Sequence, residues 1–114
     1  MKIETQGAQG DLLVRRSRVD VAGLVERLRE GGRHIVAHSE TGHHHAIDDK
    51  MGQIHRYATA NPLVDLLVVD DGCEADVVHH RDWDTHPTIT LGGGTWEIRR
   101  QREHTPEGWR LVVD

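Results

Sequence analysis

Phenylalanine is absent from this chain and tyrosine occurs once, so any aromatic bulk in a core must come from Trp83, Trp96 and Trp109, with Val, Leu and Ile filling the rest. The single cysteine, Cys73, cannot close an intramolecular disulfide. Nothing therefore points to an oxidising compartment, and the residue reads as an incidental thiol in a turn-like stretch. No apolar run approaches the roughly 18 residues of a membrane span, and "MKIETQGAQG" at the start lacks the apolar centre of a signal peptide. The expectation is a soluble, cytoplasmic protein without membrane contact. Basic residues are outnumbered, 14 Lys and Arg against 19 Asp and Glu, for a formal charge of −5. That balance argues against non-specific nucleic-acid binding, which needs a basic footprint. The run "RRQR" (residues 99–102) is the one local exception, and charge on a solvated strand face explains it more simply.

What is present is a set of short apolar segments punctuated by turn residues. A length of 114 residues fits one domain, taken as 1–114. Segments such as "DLLVRR", "RHIVAHS", "GQIHRYAT", "LVDLLVVD", "ADVVHH", "PTITL", "TWEIRRQRE" and "WRLVV" read as strands. "DVAGLVERLREGG" reads as one helix over Val21–Glu30: Asp20 suits an N-cap, and Val21, Leu24, Val25 and Leu28 fall at i, i+3, i+4 and i+7. Close turns and a single helical period predict a mostly β domain, a small antiparallel barrel or sandwich with one short helix. Period-two alternation places Leu66, Val68, Val77, Ile89, Leu91, Trp96 and Ile98 in the core. The glycines Gly92 to Gly94 read as a hairpin turn.

The chemistry concentrates in "HSETGHHHAI", where His38, His43, His44 and His45 fall within eight positions. On a strand, His43 and His45 share one side and His44 takes the other. Two imidazoles so placed can reach one divalent ion, and His38 or Glu40 can supply a third ligand across a turn at Gly42. A further ligand must come from elsewhere, with His55, His79, His80 and His86 as candidates. Imidazole with carboxylate suits zinc, iron, nickel or manganese. The stretch "HHRDWDTH" (residues 79–86) can close such a site or simply form a polar loop.

Histidine-triad hydrolases alternate histidine with apolar residues, and two-histidine phosphoesterases carry His-x-Thr twice; this chain does neither. The run "HHHAIDD" loosely resembles the first cupin motif, with His43, His45 and then Asp49 where cupins usually have Glu. The segment "LGGGTWEIRRQ" has the glycines of the second cupin motif but not its proline or histidine. Across most of its length the chain also resembles a group of small bacterial proteins of unknown function, through "GDLLVRR", "AHSETGHHH" and "HPTITLGGGTWEIRRQRE". That resemblance implies a compact β-rich domain and carries no activity with it.

Three functional readings follow. The first is a β-barrel metalloprotein, with enzymatic activity open, built on His43 and His45 with His38, Glu40, His79 and His86 as further ligands. The second is a non-catalytic partner-binding or oligomerisation domain with surface histidines. The third is a nucleic-acid accessory protein using Arg99, Arg100 and Arg102. A short chain with several apolar strands has few ways to cover every edge, so a homodimer is expected.

Overall fold

The computed structural model describes residues 1–37, 44–79, 87–105 and 108–111. Among them the chain forms strands only: β1 (Lys2–Ile3), β2 (Gln6–Gln9), β3 (Leu12–Arg16), β4 (Val25–Arg27), β5 (Arg33–Ala37), β6 (His45–Asp48), β7 (Ile54–Ala58), β8 (Val64–Val69), β9 (Ala75–His79), β10 (Ile89–Leu91), β11 (Gly94–Arg100), β12 (Arg102–Thr105) and β13 (Gly108–Leu111). A five-stranded sheet runs β1-β10-β9-β6-β5, and a six-stranded sheet runs β2-β3-β11-β8-β7-β4. β12 and β13 pair as a separate hairpin. All described pairings are antiparallel except β1 with β10.

The two large sheets share one core. Ile3, Val36, Ile47, Val77, Ile89 and Leu91 come from the first, and Leu12, Val14, Leu67, Val69, Trp96 and Ile98 from the second. Neither sheet closes on itself, so the architecture is an open two-sheet sandwich and the barrel expectation is corrected. Six of the seven residues expected in the core are buried, and five of them, Val77, Ile89, Leu91, Trp96 and Ile98, lie in the central cluster. On β8 the register is shifted by one. Leu67 pairs with Trp96, and Asp65 pairs with Ile98, so the inward row is Asp65, Leu67 and Val69. Leu66 is buried but lies outside the central cluster, and Val68 is half-buried.

The helix expected over Val21–Glu30 is absent. Gly23 adopts a positive φ of 83°, and the Leu24 amide closes a turn onto the Val21 carbonyl at 3.0 Å. Asp20 caps this turn, not a helix, by accepting from the Ala22 amide at 2.9 Å. Val25–Arg27 then extends along β7 as an edge strand. The apolar period was coincidental: Val25 is 72% and Leu28 79% exposed, so no sheet buries the stripe that would have held a helix of this length.

The glycine run is also not a hairpin. It carries the chain from β10 in one sheet to β11 in the other. A Cβ on Gly93 would meet the Asp70 carbonyl oxygen at 3.0 Å and Asp71 Cα at 3.3 Å, so this crossing needs glycine for close backbone approach.

Candidate functional site

β5, β6 and β9 are neighbours in the five-stranded sheet. The chain leaves β5 after Ala37 and rejoins the sheet at His45, which pairs with Ala37 on one side and His79 on the other. His79 is the last residue of β9, from which "HHRDWDTH" departs. The two histidine-rich stretches thus join the fold at the same end of the same sheet, and they bring His45 and His79 together. Both side chains are buried, and their rings stack with centroids 4.0 Å apart and planes 7° from parallel.

Gln9, not among the candidates read from the sequence, holds this pair from the opposite sheet. Its side chain is buried, and Nε2 donates to the carbonyls of Val77 and Pro87, each at 2.9 Å. With the amide nitrogen committed to two acceptors, Oε1 is the atom facing His45 Nδ1 at 2.8 Å. An amide oxygen only accepts, so His45 Nδ1 must carry the hydrogen. In the neutral ring the lone pair then resides on Nε2. This is the arrangement found behind metal-bound histidines, where the far ring nitrogen donates to a fixed carbonyl or carboxylate. A polar residue at an alternating inward position of β2 was the only available signal for Gln9.

The stacking limits what the pair can do. A ligating nitrogen directs its lone pair within the ring plane. Two rings stacked face to face direct theirs along separate planes, so His45 and His79 do not converge on one ion in this arrangement. Among the described residues no group of three or more His, Cys, Asp or Glu side chains is placed to hold a metal. His38, Glu40, His43, His80 and His86 lie outside the described residues. His44 is half-buried, in contrast to buried His45. His55 stands on β7 in the other sheet, within 3.5 Å of Glu26 and 3.1 Å of Asp70.

A third buried histidine, His34 on β5, stands outside the expected ligand set. Its Nε2 lies 3.0 Å from Asp49 Oδ2 and 3.1 Å from the Ile54 carbonyl, two acceptors, so this nitrogen carries its hydrogen. Asp49 Oδ1 accepts from the Gln53 amide at 2.7 Å, and Arg29 donates to the Asp49 carbonyl. Burial pushes the Asp49 pKa up, but the hydrogen bonds from His34 and the Gln53 amide outweigh it and hold the carboxyl below its ordinary value. A carboxylate with a depressed folded-state pKa adds stability above the unfolded value, and that stability is lost as pH falls through the folded one. Asp49→Ala should therefore cost about 1–3 kcal/mol near neutral pH, by orphaning buried donors. The gap between wild type and variant should narrow once pH drops below 3.8, the ordinary aspartate value. Urea titrations at a series of pH values measure this; a gap that is constant down to strong acid would show that Asp49 is not the titrating group.

Two of the arginines proposed for nucleic acid, Arg99 and Arg100, are engaged within the fold. Arg99 Nη2 lies 3.3 Å from Glu97, which also pairs with Arg15. Arg100 donates to Asp65, to the Val36 carbonyl and to the Pro62 carbonyl. The Arg102 side chain lies outside the described residues. Cys73 is half-buried after the Gly72 turn, its amide bonded to the Asp70 carbonyl at 3.0 Å. No described helix is long and apolar enough to cross a membrane.

A family model described as a domain of unknown function (DUF8820) matches residues 8–101, and the chain belongs to that family. The match spans β3 to β11 and includes both histidine-rich stretches and Gln9. No curated protein and no solved structure matches the chain. The comparisons lend no support to the cupin likeness.

Proposed function

We propose that this family member binds a divalent transition ion, zinc, iron, nickel or manganese, with His45 Nε2 as the anchoring ligand. The observation that carries the reading is the Gln9 clamp, which fixes the His45 tautomer from the opposite sheet. A buried glutamine held by two backbone carbonyls is a costly arrangement for a histidine with no task, since buried polar groups gain little net stability even when satisfied. His43, His38, Glu40 and His86 complete the proposed ligand set; they belong to the stretches that join the sheet beside His45. His79, in register with His45, either turns out of the stack to ligate or walls the site. Mixed imidazole and carboxylate ligands suit these ions, and whether the bound ion does chemistry depends on a position left open for substrate.

The test is metal titration of untagged protein by calorimetry, with elemental analysis of the material as purified. His45→Ala should abolish high-affinity uptake, and His43→Ala should weaken it sharply. Gln9→Ala, which removes the orienting partner and touches no proposed ligand, should weaken it about 10–100-fold. His44→Ala should leave it unchanged. A native protein that takes up no transition ion, or equal behaviour of the three histidine variants, would sink the metal reading and leave a partner-binding surface in its place.

A further inference from the structure

The same end of β5 also borders a feature that the metal reading does not use. The inward-facing row of the six-stranded sheet is apolar at Ile54, Leu67, Val69, Trp96 and Ile98, and then becomes charged at Arg56, Asp65 and Arg100. Charged side chains at inward positions leave the sheets unsealed there. The result is a cleft of about 270 Å³ between these residues and the backbone of β5 from Ile35 to Ala37.

Its charges do not balance. Arg27, Arg56 and Arg100 line the cleft against Glu30 and Asp65, three guanidiniums to two carboxylates, a net charge of +1. Asp65 Oδ2 is shared between Arg100 at 3.1 Å and Arg56 at 3.5 Å. Arg100 has both terminal nitrogens engaged, on Asp65 and on the carbonyls of Val36 and Pro62. Arg56 does not. Only its Nη1 is engaged, on the Ile35 carbonyl and Asp65, and its Nε is buried without a hydrogen-bond partner. Arg27, on the neighbouring strand, stands directly opposite Arg56 in the β4–β7 register. Like charges directly opposite one another across paired strands are destabilising. Burial and the nearby Arg27 and Arg100 charges lower the Arg56 pKa, consistent with a site short of negative charge.

We propose that this cleft binds the carboxylate of a small organic acid, with Arg27 and Arg56 as its donors. A guanidinium fork matches a carboxylate in two parallel hydrogen bonds. A single negative charge neutralises the cleft, whereas a phosphate dianion overshoots. Ile35, Ala58 and Pro62 supply apolar wall for a short aliphatic body, and the volume accommodates a short-chain acid. This site does not depend on the metal reading, although it shares β5 with it: Ala37, at the cleft, is the register partner of His45.

The experiment is a 1H–15N NMR titration of the native protein with butyrate, with butyramide as the neutral analogue, and with inorganic phosphate and sodium chloride at matched ionic strength. Butyrate should give saturable shifts at the amides of Ile35 to Ala37, Ala58 and Thr59. Butyramide should give none there, and phosphate should bind more weakly than butyrate. Arg27→Gln, at an exposed position on an edge strand, should keep the rest of the spectrum and weaken butyrate at least fivefold. Shifts that match sodium chloride, equal response to butyramide, or unchanged affinity in Arg27→Gln would overturn the site. Tighter binding of phosphate would overturn the carboxylate assignment.

Discussion

Trp96→Ala should lower folding stability by about 3–5 kcal/mol, a large share of the roughly 5–15 kcal/mol that holds a typical native protein. Trp96 is the largest fully buried side chain among the described residues and sits mid-sheet on β11, between Arg16 on β3 and Leu67 on β8. Three kinds of contact are lost together. The ring leaves a void in a core that contains no phenylalanine to relax into it. Its Nε1 no longer donates to the Gly92 carbonyl at 2.9 Å, on the glycine crossing between the sheets. The Arg16 guanidinium, 4.1 Å over the ring and itself bonded to the Gly93 carbonyl, loses the surface on which it lies. Urea unfolding followed by circular dichroism gives the number, since a tryptophan signal would change with the substitution itself. A loss below about 1 kcal/mol would mean that the core closes over the site, and that the Gly92–Gly94 crossing holds without its indole partner.

The second large effect is expected at Asp65. Asp65→Ala removes the one carboxylate hydrogen-bonded to both Arg56 and Arg100, whose side chains are only 15% and 20% exposed. Breaking a buried ion pair from one side leaves charge without compensation, and the loss should be about 3–5 kcal/mol. The same reasoning predicts rescue. Replacing Arg56 and Arg100 by methionine in the Asp65→Ala background should restore most of the stability, because well-packed apolar residues often replace a buried ionic cluster at little or no cost. Equilibrium unfolding of the single and triple variants decides it. A triple variant no more stable than the single would show that Asp65 acts by shape, not by charge.

Much of the sandwich was legible in the sequence, and the misreadings have specific causes. Strict alternation at Ile89 and Leu91, and at Trp96 and Ile98, gave both strand and face, because each pair is bounded by polar neighbours that face out. "LVDLLVV" is nearly continuous in apolar residues, so period-two alternation does not define its register, and the one polar residue, Asp65, is an inward one that two arginines make tolerable. The 21–30 segment carries a helical period with nothing to bury it, and Gly23 turns the chain first. β1 and β2 were missed because "KIETQGAQ" is mostly polar, and Gln9 faces inward as an amide. At the candidate site, His45 was legible from residue type and spacing. His79 became its neighbour only through strand register, and Gln9 only through a hydrogen bond between sheets, neither of which a linear pattern encodes.

The place of β11 bears on how this protein reaches its fold. Residues 94–100 fill the middle of the six-stranded sheet, between β3 and β8. On a ribosome, Leu12–Arg16 and Val64–Val69 emerge long before the strand that joins them, and each carries an open edge in the meantime. The sheet cannot grow outward from its N-terminal strands. It assembles when Arg100 is free of the exit tunnel, in one late step that links distant parts of the chain. Non-local strand pairing of this kind belongs to the slow, millisecond-to-second class of folding reactions, and it leaves the nascent chain dependent on whatever shields those edges in the interval.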